Sequence, residues 1–206
     1  MRIGIDAGHQ AHGNSATEPI GPGATQRKAK VSSGTSGRVT GVPEYEVTLN
    51  VALLLERKLL DLGAEVVMVR RTHQVDIPNS QRAIMMNEAG VSLCIRIHCN
   101  GSENTNVKGA LMFIPSGSWT VDIAADSKRA GEIILSSFLR ATGASNAGIQ
   151  GVSDLTGFNW STVPVCLIEM GFMTNAEEDE LLVSPAYQEK CAQGLADGVV
   201  AWWNAP

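Results

Sequence analysis

Segments with the apolar pattern of buried strands alternate along this chain with longer segments of helical periodicity. Short apolar runs occupy 3–5, 65–69, 91–98, 110–114 and 163–170. Helical spacing occupies 44–62, 79–89, about 122–142 and the C-terminal stretch through Trp202. The first helical segment carries the i, i+4, i+7, i+8 spacing of one buried face, at Val47, Val51, Leu54 and Leu55.

Such alternation predicts the fold class. Strands that regularly follow helices form a parallel sheet, since each crossover needs a helix packed against the sheet. We therefore expect an α/β fold: a three-layer sandwich with a largely parallel, twisted sheet and helices on both faces. No linker divides the sequence, so we expect residues 1–206 to form a single domain.

Composition excludes several functional classes. The 206 residues are 44% hydrophobic and 18% charged, which is typical of a globular chain. A net charge of −5 argues against nucleic acid or an anionic membrane as the main partner. Apolar runs fall far short of the ~20 residues that span a bilayer. Met1 and Arg2 lead directly into a strand, so we expect no signal peptide. Either the protein is not exported by the usual route, or the sequence is a domain cut from a longer chain. We also expect a monomer.

The four cysteines do not have the spacing of a disulfide framework or a zinc finger. No C-x-x-C pair is present, and Cys94, Cys166 and Cys191 lie in apolar patterns, which favours buried thiols. Cys99 adjoins His98, but no second His or Asn is placed to activate it as a nucleophile.

The polar stretch 10–43 is long for a structureless connection. A functional loop or lid and a flexible insertion are equally good interpretations of it.

Chemically useful side chains stand where predicted strands end. His9 follows the first strand, His98 ends the strand 91–98, and Glu169 lies near the end of the strand 163–170. Ligands collect at the carboxyl ends of parallel strands, so these side chains are expected to cluster. Catalytic zinc usually has three N or O ligands and one open position. Alone, each residue is as readily a cap, a hydrogen-bonded histidine or an ion-pair partner.

The residues alone leave the third ligand open. Four carboxylates are candidates: Asp6, Glu18, Glu44 and Glu46. Glu44 begins a helix, where a carboxylate is also the ordinary response to the helix dipole. The two other histidines, His12 and His73, lie in polar surroundings and are expected at the surface.

Short motifs in a fixed order resemble a known family over nearly the whole chain. They are I-D-A-G-H at 5–9, Glu44 followed by Leu49 and Ala52, Gly63, Arg82 with Asn87, I-H-C-N at 97–100, and E-M-G-F-M-T-N at 169–175. Together they resemble the zinc-dependent N-acetylmuramoyl-L-alanine amidases of bacterial cell walls.

The resemblance implies roles for individual residues. His9, Glu44 and His98 would bind one Zn²⁺, and Glu169 would be the catalytic carboxylate. The substrate would be peptidoglycan, cut at the amide between N-acetylmuramic acid and L-alanine by zinc-activated water. The protein would act at the bacterial cell wall, as an autolysin, a phage endolysin or an excised domain. The alternatives are another zinc peptidase or carboxypeptidase acting on wall peptides, and a non-catalytic wall-binding domain.

Further residues are candidates for binding substrate. Arg96 stands where the family often has Ser, and residues two apart on a strand share a face, so Arg96 should point to the same side as His98. We expect it to contact a substrate carboxylate or carbonyl, or to pair with a nearby acid. Asn100, which the I-H-x-N motif supplies, is the second candidate. Phe158 and Trp160 either line a binding groove or simply pack locally.

Overall fold

The central sheet has six strands in the computed structural model, which describes residues 1–205. Four neighbouring strands run parallel, in the order β4 (Glu65–Met68), β1 (Arg2–Ala7), β5 (Leu93–Asn100) and β8 (Val165–Phe172). The sheet continues with β6 (Ala110–Pro115), which is antiparallel to β8, and ends with β7 (Asn146–Val152), which is parallel to β6. The expected largely parallel sheet is confirmed.

Helices cover both faces of this sheet. One face packs against α1 (Glu44–Asp61), α3 (Val121–Thr142) and α6 (Pro185–Asn204), with α5 (Ala176–Val183) beside α6. The other face packs against α2 (Asn79–Ala89) and the short α4 (Thr156–Asn159). The α/β sandwich is therefore confirmed. No helix within residues 1–205 combines the length and the apolar composition that crossing a membrane requires.

The side chains of β5 alternate between these two layers. Ile95 and Ile97 point into the larger core beneath α1 and α6, while Cys94 joins the smaller core around Met86 and Phe158. Because side chains alternate along a strand, Arg96 and His98 lie on the face of Cys94. The helical layer on that face is sparse, which leaves room for a cavity above the sheet.

The polar stretch 10–43 contains a hairpin of its own. Strands β2 (Asn14–Pro19) and β3 (Arg27–Val31) pair antiparallel and form a separate two-stranded sheet. The Trp160 indole donates a hydrogen bond to the carbonyl of Pro19 over 3.0 Å, and Lys28 pairs with Asp154 over 2.6 Å. Of the two interpretations of this stretch, these contacts favour an ordered loop over a flexible insertion, because they hold the hairpin against the rest of the chain.

Trp160 and Phe158 serve local packing. Phe158 is fully buried in the smaller core, and Trp160 is tied to the hairpin by its indole N–H. All four cysteines are buried free thiols, as the sequence predicted. Strand β7 and helix α5 were not expected from periodicity, since β7 is a largely exposed edge strand with two glycines.

Candidate active site

Neighbouring strands place the predicted residues in two adjacent rows on one face of the sheet. In the first row, Asp6 of β1 pairs in register with Arg96 of β5, which pairs with Leu167 of β8. In the next row, His98 of β5 pairs with Glu169 of β8. The register between β5 and β8 then slips after His98, a bulge of the kind often found beside active sites. The strand ends thus bring His98 and Glu169 together.

His9 is held in an unusual backbone conformation immediately after β1. Its φ is 58°, the one positive φ among non-glycine residues within 1–205. Arg82, whose side chain is buried, donates to the carbonyl of His9 over 2.9 Å, and Arg70 donates to the carbonyl of Gly8 over the same distance. Such strain persists only where surrounding contacts enforce it. The two arginines therefore fix the direction in which the His9 ring points.

A backbone carbonyl orients the imidazole of His9. Its Nδ1 atom lies 2.9 Å from the carbonyl oxygen of Ser32. A proton on Nδ1 that is donated to this carbonyl leaves the lone pair on Nε2, which faces Glu44 and His98. The Ser32 hydroxyl lies 3.2 Å from the same nitrogen. The shorter contact, with the carbonyl, comes from the main chain, so the residue type did not indicate it.

Glu44 is the first residue of α1 and is buried beneath the cavity. Its Oε1 accepts a hydrogen bond from the backbone N–H of Cys99 over 2.9 Å, and its Oε2 accepts one from the N–H of Thr35 over 3.0 Å. These two donors fix both carboxylate oxygens. Burial alone would raise the pKa of Glu44, but the hydrogen bonds with His9 and His98 outweigh it and hold that pKa well below its usual range.

The three predicted ligands converge on one point. His9 Nε2 lies 3.1 Å from Glu44 Oε2 and 3.1 Å from His98 Nδ1, and His98 Nδ1 lies 3.1 Å from Glu44 Oε1. Tetrahedral zinc with bonds of ~2.0–2.1 Å keeps its ligand atoms roughly 3.3 Å apart. Two imidazoles and one carboxylate therefore fit a zinc ion in both chemistry and spacing. Within residues 1–205 this is the one group of such side chains that could hold a metal ion.

Two glycines make this approach possible. A Cβ atom on Gly8 would lie 2.4 Å from Cε1 of His98, and one on Gly34 would lie 2.7 Å from Glu44 Oε2 and 2.9 Å from the His9 ring. Gly34 also has a φ of 81°, which side chains disfavour. Backbone from two separate segments therefore packs directly against the ligands.

Burial sets the protonation of the remaining groups. It lowers the pKa of His98 to about 4, so the ring is neutral and able to bind a metal near pH 7. Burial, and then the charge of Glu44, raise the pKa of Glu169 well above its usual value. Oε2 of Glu169 is buried and has no hydrogen-bond partner among the described residues. A carboxyl group in this setting is suited to exchange a proton with a substrate or a water molecule.

These groups open into one cavity of about 440 Å³. Its polar lining includes His9, His98, Glu169 and Arg96, together with Ser32, Asn79 and Thr156. Apolar side chains line much of the rest, including Phe113, Leu155 and Leu167. Lys28 and Asp154, joined as an ion pair, close part of its side toward the hairpin. The cavity is thus a polar centre with apolar walls, a common form for a small-molecule site.

The two substrate-binding candidates have different places. Arg96 lines the cavity, as expected for a residue on the face of His98, and it also forms the ion pair considered as the alternative, with Asp6. Asn100 does not line the cavity; its Oδ1 accepts a hydrogen bond from the N–H of Gly101. His12 is exposed, and the His73 ring packs against Tyr45, so neither joins the ligand group.

Comparison with known proteins agrees with this geometry. The family model described as N-acetylmuramoyl-L-alanine amidase matches residues 3–201. The chain belongs to this amidase family. It is 28% identical to the N-acetylmuramoyl-L-alanine amidase LytC of Bacillus subtilis over 172 residues, which cover 84% of this chain and 33% of LytC. It is also 28% identical to the N-acetylmuramoyl-L-alanine amidase Rv3717 of Mycobacterium tuberculosis, covering 98% of this chain and 86% of Rv3717.

Solved structures of amidases have the same fold. The apo form of the amidase Ami1 from Mycobacterium abscessus superposes with a TM-score of 0.90 at 26% identity, over 98% of both chains. The catalytic domain of the amidase CwlV from Bacillus (Paenibacillus) polymyxa superposes with a TM-score of 0.80 at 24% identity, over 100% of this chain and 99% of that one. This chain therefore matches about one third of the length of LytC, and nearly all of the Ami1 chain in that solved structure.

Proposed function

We propose that this chain is a zinc-dependent peptidoglycan hydrolase that cleaves the amide between N-acetylmuramic acid and the L-alanine of the stem peptide. The observation that carries the proposal is the convergence of His9, Glu44 and His98 within 3.1 Å contacts beside Glu169. Family membership supports the choice of bond, since the relatives named above are amidases of this type.

The metal contributes one kind of chemistry. A zinc ion held by His9, Glu44 and His98 supplies Lewis acidity, which activates water as a nucleophile and polarises a carbonyl group. The carbonyl of Ser32 holds His9 in the tautomer that binds metal, and the N–H groups of Cys99 and Thr35 hold Glu44. Such supporting contacts stiffen the ligands and raise metal affinity.

Glu169 moves the proton. Its carboxylate takes a proton from the attacking water, and the resulting acid gives that proton to the leaving amino group of L-alanine. Burial, and then the charge of Glu44, raise the pKa of Glu169, and this direction makes its carboxylate a stronger base toward water. The register pairing with His98 places it one strand, about 4.8 Å, from a metal ligand.

The wider setting follows from the substrate. We propose that the protein acts on the bacterial cell wall, that residues 1–206 form one catalytic domain, and that this domain works as a monomer.

Digestion of purified peptidoglycan tests the function. Wild-type protein with zinc should release new L-alanine amino termini, and a chelator should stop the release. Release of terminal D-alanine instead would favour a carboxypeptidase, and sedimentation with the wall without any cleavage would favour a binding domain. Glu169→Gln is the matched control, since the amide has the size of the carboxyl group but cannot accept the proton.

A further inference from the structure

Arg96, a residue of the cavity wall, carries one donor nitrogen that lies against Gly157 in the same wall. Its side chain is 6% exposed; Nε donates to Asp6 Oδ2 over 2.9 Å and Nη2 donates to Asn79 Oδ1 over 2.9 Å. Nη1 makes no hydrogen bond within residues 1–205, although Arg96 lines the cavity together with His98 and Glu169. The two fixed nitrogens hold the guanidinium plane, so the direction of Nη1 is fixed as well.

Charge around Arg96 is not balanced. Asp6 is paired with both Arg82 and Arg96, and neither arginine forms another ion pair among the described residues. One carboxylate therefore faces two buried guanidinium groups that stay protonated at any ordinary pH. Lys28, the other cation of the cavity, has Asp154 as its own partner. A buried charge without a counter-charge is costly, and an anionic ligand would relieve that cost.

Gly157 leaves the space that Nη1 occupies. A Cβ atom on this residue would lie 1.6 Å from Nη1 and 2.4 Å from Cζ of Arg96. Leu155, Leu167 and Phe113 surround the same part of the cavity and limit the water that could solvate the guanidinium. In such surroundings a hydrogen bond between two charged groups is stronger than in water.

We propose that Arg96 binds the free α-carboxylate of the second residue of the stem peptide. This rests on the proposed function, which places the bond to be cleaved beside His98. Arg96 and His98 are two residues apart on β5, so their side chains share a face and line the same cavity. The L-alanine nitrogen and the α-carboxylate of the next residue are separated by roughly 7 Å of extended chain, which a cavity of about 440 Å³ can accommodate. A carboxylate there neutralises the second guanidinium, which a carboxamide cannot do.

Two matched substrates test the assignment: N-acetylmuramoyl-L-alanyl-D-glutamate with a free α-carboxylate, and the same compound with an α-carboxamide. We expect wild-type protein to prefer the acid by roughly 10–100-fold in kcat/KM, the worth of a hydrogen bond between charged groups. In Arg96→Gln this ratio should fall to about one. Because the ratio compares two substrates on one protein, general damage to the site cancels.

Two further variants keep the test decisive. Gly157→Ala retains the charge of Arg96 but displaces Nη1, so it should also lower the ratio, and it carries the test if Arg96→Gln does not fold. Lys190→Met removes an exposed cation that does not line the cavity and should keep the wild-type ratio. Equal cleavage of both substrates by wild-type protein overturns this proposal alone. A preference that survives in both Arg96→Gln and Gly157→Ala, or that disappears in Lys190→Met, also overturns it. Failure to cleave either substrate or peptidoglycan overturns the proposed function itself.

Discussion

Nε2 of His9 and Nδ1 of His98 lie 3.1 Å apart, and the carboxylate of Glu44 contacts both atoms. Because the Nδ1 proton of His9 is donated to Ser32, its Nε2 offers a lone pair at this contact. These atoms lie close enough to share a proton through a hydrogen bond to Glu44, or to surround one cation. The geometry therefore suits the zinc ion that we propose.

Loss of one ligand should abolish both metal binding and activity. We expect His98→Ala to bind no zinc at micromolar concentration and to hydrolyse no amide, because two remaining ligands cannot hold a catalytic ion. Zinc at one hundred times its Kd should stabilise the wild type by about 2.7 kcal/mol and should not stabilise this variant. Thermal unfolding with and without zinc measures the difference. His12→Ala, which removes an exposed histidine, should respond to zinc as the wild type does.

The backbone contact at Gly34 should control metal affinity. In Gly34→Ala the new methyl group would meet Glu44 and His9, so we expect zinc affinity to fall by roughly ten-fold or more, the loss typical when contacts around metal ligands are broken. Gly41→Ala is the matched control, since its φ of 69° imposes similar strain with no atom within 4 Å. Competition with a chromophoric chelator gives both affinities. Equal losses in the two variants would assign the effect to backbone strain rather than to the ligands.

Asp6 should make stability depend on acidity. Burial would raise the pKa of Asp6, but Arg82 and Arg96 outweigh it and hold that pKa well below its usual range. Its contribution is therefore present above the unfolded-state pKa of about 3.9 and is lost as pH falls through the lower folded-state value. Asp6→Asn should cost about 3–5 kcal/mol at pH 7, because two buried guanidinium groups lose their carboxylate.

Urea unfolding from pH 7 to pH 2 measures that contribution. The wild type should lose part of its stability below about pH 4, and Asp6→Asn should lose less over the same range. Asp61→Asn, which changes an exposed carboxylate at the end of α1, is the control for general acid effects. If the free energy of unfolding falls equally with acid in the wild type and in Asp6→Asn, the loss of stability at low pH does not come from Asp6.

The strand-and-helix alternation was enough to predict the largely parallel sheet apart from β7, its main helices apart from α5, and the cluster of His9, His98 and Glu169. The third ligand was not predictable from the residues, because four acidic side chains looked alike. The structure separates three of them by their partners: Asp6 pairs with two arginines, Glu18 accepts from Ser80, and Glu44 contacts both histidines. Only the family resemblance distinguished Glu44 beforehand.

Other features were hidden for physical reasons. The hairpin β2–β3 has a mostly exposed, polar sequence, so no buried face marks its strands. Ser32 acts through its carbonyl, which every residue type possesses. The roles of Asn100 and Arg96 in substrate binding stay predictions, as does the single-domain monomer.

The cysteine beside His98 should be dispensable for catalysis. Cys99 is buried, and burial raises its thiol pKa well above the usual value, so a thiolate nucleophile is not available. We expect Cys99→Ala to keep kcat/KM within a few-fold of the wild type and to lose about 1–2 kcal/mol of stability from the smaller side chain. A loss of activity of several orders of magnitude in a folded, zinc-loaded Cys99→Ala protein would revive covalent catalysis.

Glu169→Gln tests most directly whether Glu44 holds the metal while Glu169 transfers the proton. Zinc content and amide hydrolysis are measured on the same sample. We expect one zinc ion per chain, as in the wild type, and hydrolysis of peptidoglycan lowered by roughly 10²–10⁴-fold, the contribution of a general acid/base. Wild-type hydrolysis by the zinc-loaded variant, or loss of its zinc, would contradict the assignment of Glu169 as the residue that moves the proton.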